Sequence, residues 1–238
     1  MGDCLEILPQ IPEKTVDLVI ADLPYGTTRA QWDAPIDLKI LWKQYHRVGK
    51  ANCVYLLFGS QPFTSHLIMS NQKNFRYCWY WKKERGTGFL NAKKQPLRII
   101  EEICVFYCST PVAYNPERKK LDKPYNHKLP VYGTELVNPV ETFGKHDAPV
   151  YRTFEYSYPN NLLFFPREIK KSIHPTQKPL ALVEYLIRTY SNPGDVILDN
   201  VMGSGTSGVA CKKLKRSFIG IEIDQIMFEK AKKRIELS

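Results

Sequence analysis

The chain has 238 residues, which suits one large domain, or one domain with an insertion, better than two independent domains. Hydrophobic residues make up 43% and charged residues 24%, as in globular proteins, and the lack of an eighteen-residue apolar run excludes a membrane-spanning helix. The net charge of +10 makes a polyanion the natural partner.

The N-terminal sequence and the cysteines favour the cytoplasm. MGDCLEIL has no basic region, long apolar core or small-residue cleavage site that would direct export. The six cysteines are scattered without paired spacing, which suits a reducing compartment better than a disulfide framework. Cys104 and Cys108 stand close in sequence, but no CxxC or clustered His accompanies them, so no metal is expected.

Short apolar runs alternate with amphipathic stretches, a pattern that predicts a parallel sheet covered by helices. The predicted strands lie near Val16–Ala21, Val54–Phe58, Phe75–Trp81, Ile99–Tyr107, Asp195–Leu198 and Phe218–Ile223. The predicted helices lie near Asp37–Val48, Pro62–Ser70, Pro179–Tyr190, Thr206–Leu214 and Gln225–Leu237. No helical pattern separates the third and fourth strands, so one of them is expected to run antiparallel as a hairpin edge.

The positive charge is concentrated, with six basic residues against one acid between Lys82 and Arg98. Aromatic residues lie near these bases, and stacking combined with phosphate pairing is how proteins hold unpaired nucleobases. A solvated basic surface without a function would give the same net charge, so charge alone leaves both interpretations open. The residues predicted to bind nucleic acid are Lys82, Lys83, Arg85, Lys93, Lys94, Arg118 and Lys119.

From Ser109 to Lys171 the periodicity disappears, and prolines, asparagines, tyrosines and charges dominate. A stretch of this length without regular structure is usually functional or disordered, and its many aromatic residues favour order. We therefore predict an inserted region at 109–171 within a domain formed by 1–108 and 172–238.

A glycine loop follows the fifth predicted strand. Asp199 ends that strand, and Gly203, Ser204, Gly205 and Thr206 follow with the G-x-G-x-x-G spacing that lets a ligand approach the backbone. Glu222 closes the next predicted strand, where a carboxylate can accept hydrogen bonds from ribose hydroxyls. A tight strand-to-helix turn would explain the glycines alone, but the acid at this distance favours a nucleoside site.

The surroundings of the loop bear on which nucleoside cofactor binds. Only sixteen residues follow Glu222, too few for the second half that a dinucleotide enzyme needs. Asp199 would repel a pyrophosphate but could pair with a cationic ligand. S-adenosyl-L-methionine carries a sulfonium and an ammonium and no phosphate, so it is expected in preference to NAD.

Three motifs in one order carry a family resemblance: Asp22-Leu23-Pro24-Tyr25, HPTQKPLAL at 174–182 and LDNVMGSGT at 198–206. In these motifs the chain resembles the amino-methyltransferases of DNA, and in their order it resembles the permuted (beta-class) group, whose cofactor loop comes last. The resemblance implies an α/β fold with a Rossmann-like seven-stranded mixed sheet, one strand antiparallel, helices on both faces and an inserted target-recognition region. It implies methyl transfer from S-adenosyl-L-methionine to the N6 amine of a flipped-out adenine in DNA.

The resemblance makes Asp22, Leu23, Pro24 and Tyr25 the catalytic residues. The lone pair of an exocyclic amine is conjugated with the ring, so both N–H groups must be held by acceptors to favour a pyramidal nitrogen. The Asp22 carboxylate could take one hydrogen and the Leu23 carbonyl oxygen the other, while Tyr25 stacks on the base and Pro24 stiffens the turn. Leu23 stands where the family more often has proline, so a less rigid turn is expected.

The resemblance also implies cofactor contacts outside the glycine loop. Asp3 is expected near the adenine of the cofactor, and Thr176 or Lys178 near its methionine carboxylate. Asn200-Val201 replace a more typical Pro-Phe pair, which predicts weaker cofactor affinity. The full set of expected cofactor-binding residues is Asp3, Thr176, Lys178, Asp199, Gly203, Ser204, Gly205, Thr206 and Glu222.

Several alternatives stay open. Asp at the head of the tetrapeptide favours adenine, whereas cytosine-N4 enzymes more often have Ser there, so cytosine is the alternative target. A catalytically silent, methyltransferase-like DNA-binding subunit is a second alternative, and an NAD oxidoreductase is a third. The expected partner is double-stranded DNA, and no membrane is expected. A homodimer, the recognition sequence and a restriction-modification context are left open by the sequence.

Overall fold

The computed structural model describes residues 1–26, 33–110, 112–129, 150–166 and 177–238. They belong to two compact units, one built from Met1–Asn115 and Asn161–Ser238 and the other from Pro116–Asn160. Among the helices in these ranges, none has both the length and the apolar character that crossing a membrane requires.

The larger unit alternates strands with helices, and the smaller unit is a strand pair. The strands are β1 (Val16–Ala21), β2 (Gly49–Gly59), β3 (Phe75–Thr87), β4 (Arg98–Tyr107), β5 (Lys119–Leu129), β6 (Val150–Ser157), β7 (Leu162–Phe164), β8 (Val196–Asp199) and β9 (Ser217–Gly220). The helices are α1 (Cys4–Ile7), α2 (Leu38–Val48), α3 (Phe63–Ser70), α4 (Leu180–Tyr190), α5 (Thr206–Lys213) and α6 (Gln225–Glu236). Strands β5 and β6 pair antiparallel in the smaller unit.

The larger unit is organised by a seven-stranded sheet in the order β7-β3-β4-β2-β1-β8-β9. Strand β4 runs antiparallel to both of its neighbours, β2 and β3, and the other pairings are parallel. This arrangement confirms the predicted mixed sheet with one reversed strand. The reversed strand is internal rather than an edge, because β7 pairs with β3 and covers that side of the hairpin.

Strand β1 is apolar along its whole length because both of its faces are buried. Val19 and Ala21 pack in one hydrophobic cluster with Leu41 of α2, while Ile20 packs in a second cluster with Leu186 of α4. Burial of each of the Val, Ile and Leu side chains among them contributes about 1.5–3 kcal/mol to folding. The strand is therefore a rigid support for the residues that follow it.

The chain reverses its direction of travel across the sheet between β1 and β8. From β1 it passes through α2 to β2 on one side, and from β8 it passes through α5 to β9 on the other. The two strands are parallel neighbours, with Leu18 beside Ile197 and Val19 beside Leu198. Crevices at such switch points, at the carboxyl ends of the strands, are where open α/β sheets bind ligands.

The predicted elements are all present, with differences at their ends. Strand β9 stops at Gly220 instead of Ile223, although the Ile221 N–H still donates to the Asp199 carbonyl oxygen and the Ile221 carbonyl oxygen accepts from the Met202 N–H. Helix α1 and strands β5, β6 and β7 were not predicted. The compact smaller unit is shorter than the predicted insertion, since Asn115 bonds to the carbonyl oxygen of Thr189 in the larger unit and β7 joins the main sheet.

Candidate active site

A cavity of about 600 Å³ opens at the carboxyl ends of β1 and β8. That volume lies in the range of sites that bind small molecules. The cavity brings together two motifs that are far apart in sequence, the tetrapeptide at 22–25 and the glycine loop at 203–206. Its lining includes Asp3, Asp22, Leu23, Pro24, Tyr25, Glu101, Lys178, Asp199, Gly203, Ser204, Thr206 and Glu222.

The Asp22 carboxylate is held from both sides. The Tyr25 hydroxyl donates to its Oδ1 at 2.8 Å, and the Lys178 ammonium donates to its Oδ2 at 2.5 Å. Burial has the largest effect on the pKa of Tyr25, and the negative charge of Asp22 has the next largest. Both raise this pKa well above its usual value, so the phenol keeps its proton. Each carboxylate oxygen still has a lone pair with which to accept one more hydrogen bond.

The turn that carries Asp22 is fixed by its neighbours. The backbone N–H groups of Tyr25 and Gly26 donate to Asp33 Oδ1 at 2.7 and 2.9 Å. The Tyr25 ring stacks on Phe63 with ring centroids 4.9 Å apart. Leu23 is 2% exposed and packs into the core, so it anchors the turn although it lacks the ring of a proline.

A chain of alternating charges runs inward from Asp22. The Lys178 ammonium also lies 3.4 Å from Glu101, and Glu101 in turn accepts a hydrogen bond from Lys83 at 3.1 Å. Burial lowers the pKa of Lys178, but the carboxylates of Asp22 and Glu101 outweigh it and raise that pKa overall. Burial acts to raise the pKa of Glu101, and the two lysines reverse this and lower it.

This chain of charges changes two expectations. Lys178 was expected to meet the cofactor, and the structure places its ammonium between Asp22 and Glu101 instead. Lys83 was expected to contact nucleic acid, but it is 4% exposed and pairs with Glu101, so it does not form part of a phosphate-binding surface. Glu101 was missed, although an acid within the apolar strand IIEEICVFY is the signal that could have identified it.

The glycine loop is shaped by backbone conformations that favour glycine. Gly203 and Gly205 have φ angles of 49° and 73°, in the left-handed region. The Gly203 N–H donates to Glu222 Oε2 at 2.8 Å, and Glu222 Oε1 accepts from the Asp224 N–H at 2.9 Å. Glu222 thus connects the loop to the start of α6.

Gly205 does not line the cavity, unlike the other residues predicted in the loop. A Cβ atom there would lie 3.0 Å from Ala231 Cβ and 3.1 Å from Ile235 Cδ1, both on α6. Its role is therefore close packing of helix α6 against the loop rather than contact with a ligand.

Ser204 and Thr206 are held in the cavity wall by an arginine that sequence reasoning missed. Arg234 on α6 donates to the Ser204 carbonyl oxygen at 2.9 Å and to Thr206 Oγ1 at 3.1 Å. Both loop residues are buried. No spacing in the sequence links Arg234 to the loop, because the contact depends on how α6 packs.

Asp199 is the buried acid at the end of β8. Its Oδ2 accepts from the Ser207 hydroxyl at 2.7 Å and its Oδ1 from the Val201 N–H at 3.2 Å. Burial raises the pKa of Asp199 to about 7, and these two hydrogen bonds only partly oppose the effect. The next residue, Asn200, accepts from the Tyr45 hydroxyl at 2.5 Å, which ties the loop to α2.

Asp3 reaches the same cavity from the N-terminal segment. It caps α1 by accepting from the Leu5 N–H at 2.7 Å, and the neighbouring Gly2 N–H donates to the Glu222 carbonyl oxygen at 2.9 Å. Asp3 and Glu222 therefore lie close together in the cavity wall. Thr176 falls outside the described residues.

The cavity is acidic although the chain as a whole is basic. Its described wall carries two lysines, Lys83 and Lys178, against eight acids: Asp3, Asp22, Asp33, Asp37, Glu101, Asp199, Glu222 and Asp224. Such a wall attracts a cationic ligand and repels phosphate groups. The donor set therefore fits S-adenosyl-L-methionine and does not fit NAD.

The remaining predicted nucleic-acid contacts are on the surface. Lys82, Arg85, Lys93 and Lys94 are exposed on the β3–β4 hairpin of the larger unit. In the smaller unit Lys119 is exposed, and the exposed Arg118 guanidinium lies 5.6 Å from the centre of the Tyr156 ring.

The sheet order, the switch-point cavity and the acidic wall together define an α/β protein of the methyltransferase class. Within that class, residues 16–233 match the family model described as DNA methylase, and the chain belongs to that family. The predicted resemblance to the amino-methyltransferases of DNA is thereby confirmed.

Individual relatives match over most of the chain. It is similar to the Type II methyltransferase M1.MboII of Moraxella bovis, with 27% identity over 250 residues that cover 93% of this chain and 90% of the relative. It is similar to the DNA adenine methyltransferase YhdJ of Escherichia coli (strain K12), with 28% identity over 265 residues that cover 100% of this chain and 82% of the relative. Among solved structures, the M1.HpyAVI–SAM complex is 26% identical in sequence, with a TM-score of 0.62. The match covers 98% of this chain and 96% of that chain.

Proposed function

We propose that this protein transfers a methyl group from S-adenosyl-L-methionine to the N6 amine of an adenine in double-stranded DNA. One observation carries the proposal: a single cavity contains both the Asp22-Leu23-Pro24-Tyr25 turn and the glycine loop after Asp199. The family membership and the relatives named as adenine and Type II methyltransferases support the same activity and a restriction-modification context.

The acidic half of the cavity would hold the cofactor. When bound, S-adenosyl-L-methionine supplies an electrophilic methyl group on a sulfonium. Glu222, positioned by Gly203 and Asp224, can accept hydrogen bonds from ribose hydroxyls, and Asp3 lies beside it. Asp199 at the end of β8 offers a carboxylate to the cationic part of the ligand.

The other half would hold the target base. Asp22 can accept one hydrogen of the adenine amine and the Leu23 carbonyl oxygen the other, which favours the pyramidal nitrogen that attacks. Tyr25 has one ring face on Phe63, so its other face is the one on which the base would stack. Lys178 acts through Asp22 as a positioning residue, because its ammonium donates to the carboxylate and orients it.

The target base would reach this cavity by flipping out of the duplex, since atoms inside the stack are inaccessible. We propose that four exposed basic side chains contact DNA phosphates: Lys82, Arg85, Lys93 and Lys94. We also propose that the predicted insertion, with Arg118 and Lys119, reads the recognition sequence in the major groove. The cytoplasm is the proposed location, and a homodimer is a proposed assembly to be tested by sedimentation.

A transfer assay on mixed-sequence duplex DNA with tritiated S-adenosyl-L-methionine tests the proposal, with Asp22→Ala as the matched control. We expect label in DNA with the wild-type protein and none with the variant. Sequencing of the product should place N6-methyladenine at one recognition site. Label in N4-methylcytosine would replace adenine by cytosine as the target, and DNA binding without any transfer would favour the silent subunit.

A further inference from the structure

The β3–β4 hairpin presents two apolar side chains at its end. Phe89 and Leu90, which we name the apolar tip, are 81% and 99% exposed. Full exposure of adjacent large apolar side chains is uncommon in soluble domains and indicates a surface that meets a partner. The hairpin belongs wholly to the larger unit.

The tip is a formed structure rather than a loose loop. Thr87 of β3 pairs with Arg98 of β4, and the segment between them contains a short 3₁₀ turn over Phe89–Asn91. The Asn91 N–H donates to the Gly88 carbonyl oxygen at 2.9 Å, and the Lys94 N–H donates to the Asn91 carbonyl oxygen at 2.9 Å. The two apolar side chains are thus held on a hydrogen-bonded turn.

The charges around the tip identify the kind of partner. The hairpin carries the exposed bases Lys82, Arg85, Lys93, Lys94 and Arg98, and one exposed acid, Glu84. This combination suits a polyanion with an apolar interior, which is the chemistry of stacked nucleobases between two phosphate backbones. A second copy of the chain is disfavoured in this position, because a symmetric contact would bring the same positive charges face to face.

The position of the tip relates it to base flipping. Trp81 and Thr87 on the same strand line the cavity, and Phe89 follows Thr87 by two residues, a span of at most about 7 Å. A base that enters the cavity leaves a gap in the duplex beside the cavity mouth. Proteins fill or create such gaps with apolar wedges of Phe, Leu, Ile or Met.

We propose that Phe89 and Leu90 insert into the base stack at the position vacated by the target base and stabilise its flipped state. The inference rests on the proposed function and extends it by naming the residues that act on the duplex rather than on the everted base. Lys93 and Lys94 would hold the flanking phosphates while the tip is inserted.

The test uses a duplex that contains the recognition site found by sequencing, with 2-aminopurine at the target position. The fluorescence of this base rises when it leaves the stack, so flipping is read without methyl transfer. Wild-type protein should raise the fluorescence, and Phe89→Ala and Leu90→Ala should each remove most of the rise. Met69→Ala on α3, which truncates another exposed apolar side chain, should behave like the wild type.

Methylation rates provide the second readout. Each tip variant should methylate the paired duplex about 10-fold more slowly, the loss expected when one stacking contact with a base is removed. On a duplex whose target adenine faces an abasic site, the variants should match the wild type, because the base is already unpaired.

Four results would overturn the inference in distinguishable ways. If the tip variants flip the target base and methylate it like the wild type, Phe89 and Leu90 are not a wedge, and the proposed function is unaffected. If a tip variant loses the same activity on the paired and the abasic duplexes, the tip serves general DNA binding. If the variant flips the base normally but changes from dimer to monomer, the tip serves self-association. A wild-type protein that methylates no DNA overturns the proposed function, and the inference falls with it.

Discussion

Asp199 should make cofactor affinity depend on pH near neutrality. Its pKa rises from near 4 in an unfolded chain to about 7 because it is buried. A cation placed in the cavity favours the ionised carboxylate, so binding should strengthen as Asp199 loses its proton. If only the ionised form binds well, its population changes from about one tenth at pH 6 to about nine tenths at pH 8, and affinity should rise about tenfold.

The matched variant is Asp199→Asn, which retains shape and removes the charge. Its amide oxygen can still accept from the Val201 N–H, and the Ser207 hydroxyl can rotate to accept from the amide. Calorimetric titration with S-adenosyl-L-methionine at pH 6, 7 and 8 should show the tenfold slope in the wild type and not in the variant. Any titration of the ligand itself is common to both proteins and cancels.

Stability without cofactor should change in the opposite direction. The folded protein holds a proton on Asp199 that the unfolded chain releases near pH 4, so stability falls as pH rises from about 4 to about 7. A difference of about three units between the folded and unfolded pKa corresponds to about 4 kcal/mol. This is the upper limit for the increase in the free energy of unfolding that Asp199→Asn should cause at about pH 8. Urea unfolding at pH 4 and pH 8 measures the difference. Equal pH slopes of binding and stability in both proteins would refute the reasoning.

The other predictions concern three residues that line the cavity. Asp22→Ala should abolish transfer and leave calorimetric cofactor affinity nearly unchanged, whereas unchanged turnover would remove Asp22 from the mechanism. Glu222→Ala should weaken binding of S-adenosylhomocysteine by about 1.5–3 kcal/mol, the size of hydrogen bonds to a charged group; equal affinity would mean that the ribose is held elsewhere. Lys178→Met should move the acid limb of the turnover profile to higher pH, because it removes the cation that lies between the Asp22 and Glu101 carboxylates and lowers the pKa of Glu101. Glu101→Gln in that background should reverse most of the shift, and a profile that stays in place would contradict the coupling.

The sequence predicted the parts of the fold that local pattern controls. Continuous apolar runs located β1 and its neighbours because these strands are buried on both faces. The pattern failed for β7, a three-residue strand in the stretch 109–171 that lacks a clear period, because its pairing with β3 depends on tertiary contact. It also placed the reversed strand at an edge, since nothing in the local sequence of β4 indicates that β7 lies beyond β3.

The site was predictable where motif residues end strands and less so where long side chains meet across the sheet. Asp22 and Asp199 were identified because each follows an apolar strand at the same edge. Lys178 was assigned to the cofactor, because its pairing with Asp22 and Glu101 depends on how the segment before α4 approaches β4. Arg234 was missed for the same reason, since helical spacing alone does not reveal which loop an arginine on α6 will reach.

The pairing of β1 with β8 fixes the spacing between the strand ends at which the cavity opens. Backbone hydrogen bonds keep these strands about 4.8 Å apart, so the spacing between the strand ends that carry Asp22 and Asp199 is set by the sheet. The segments beyond the strand ends can vary in length and composition without altering that gap. Loops beyond the two strands can therefore be exchanged while the spacing between the strand ends stays the same.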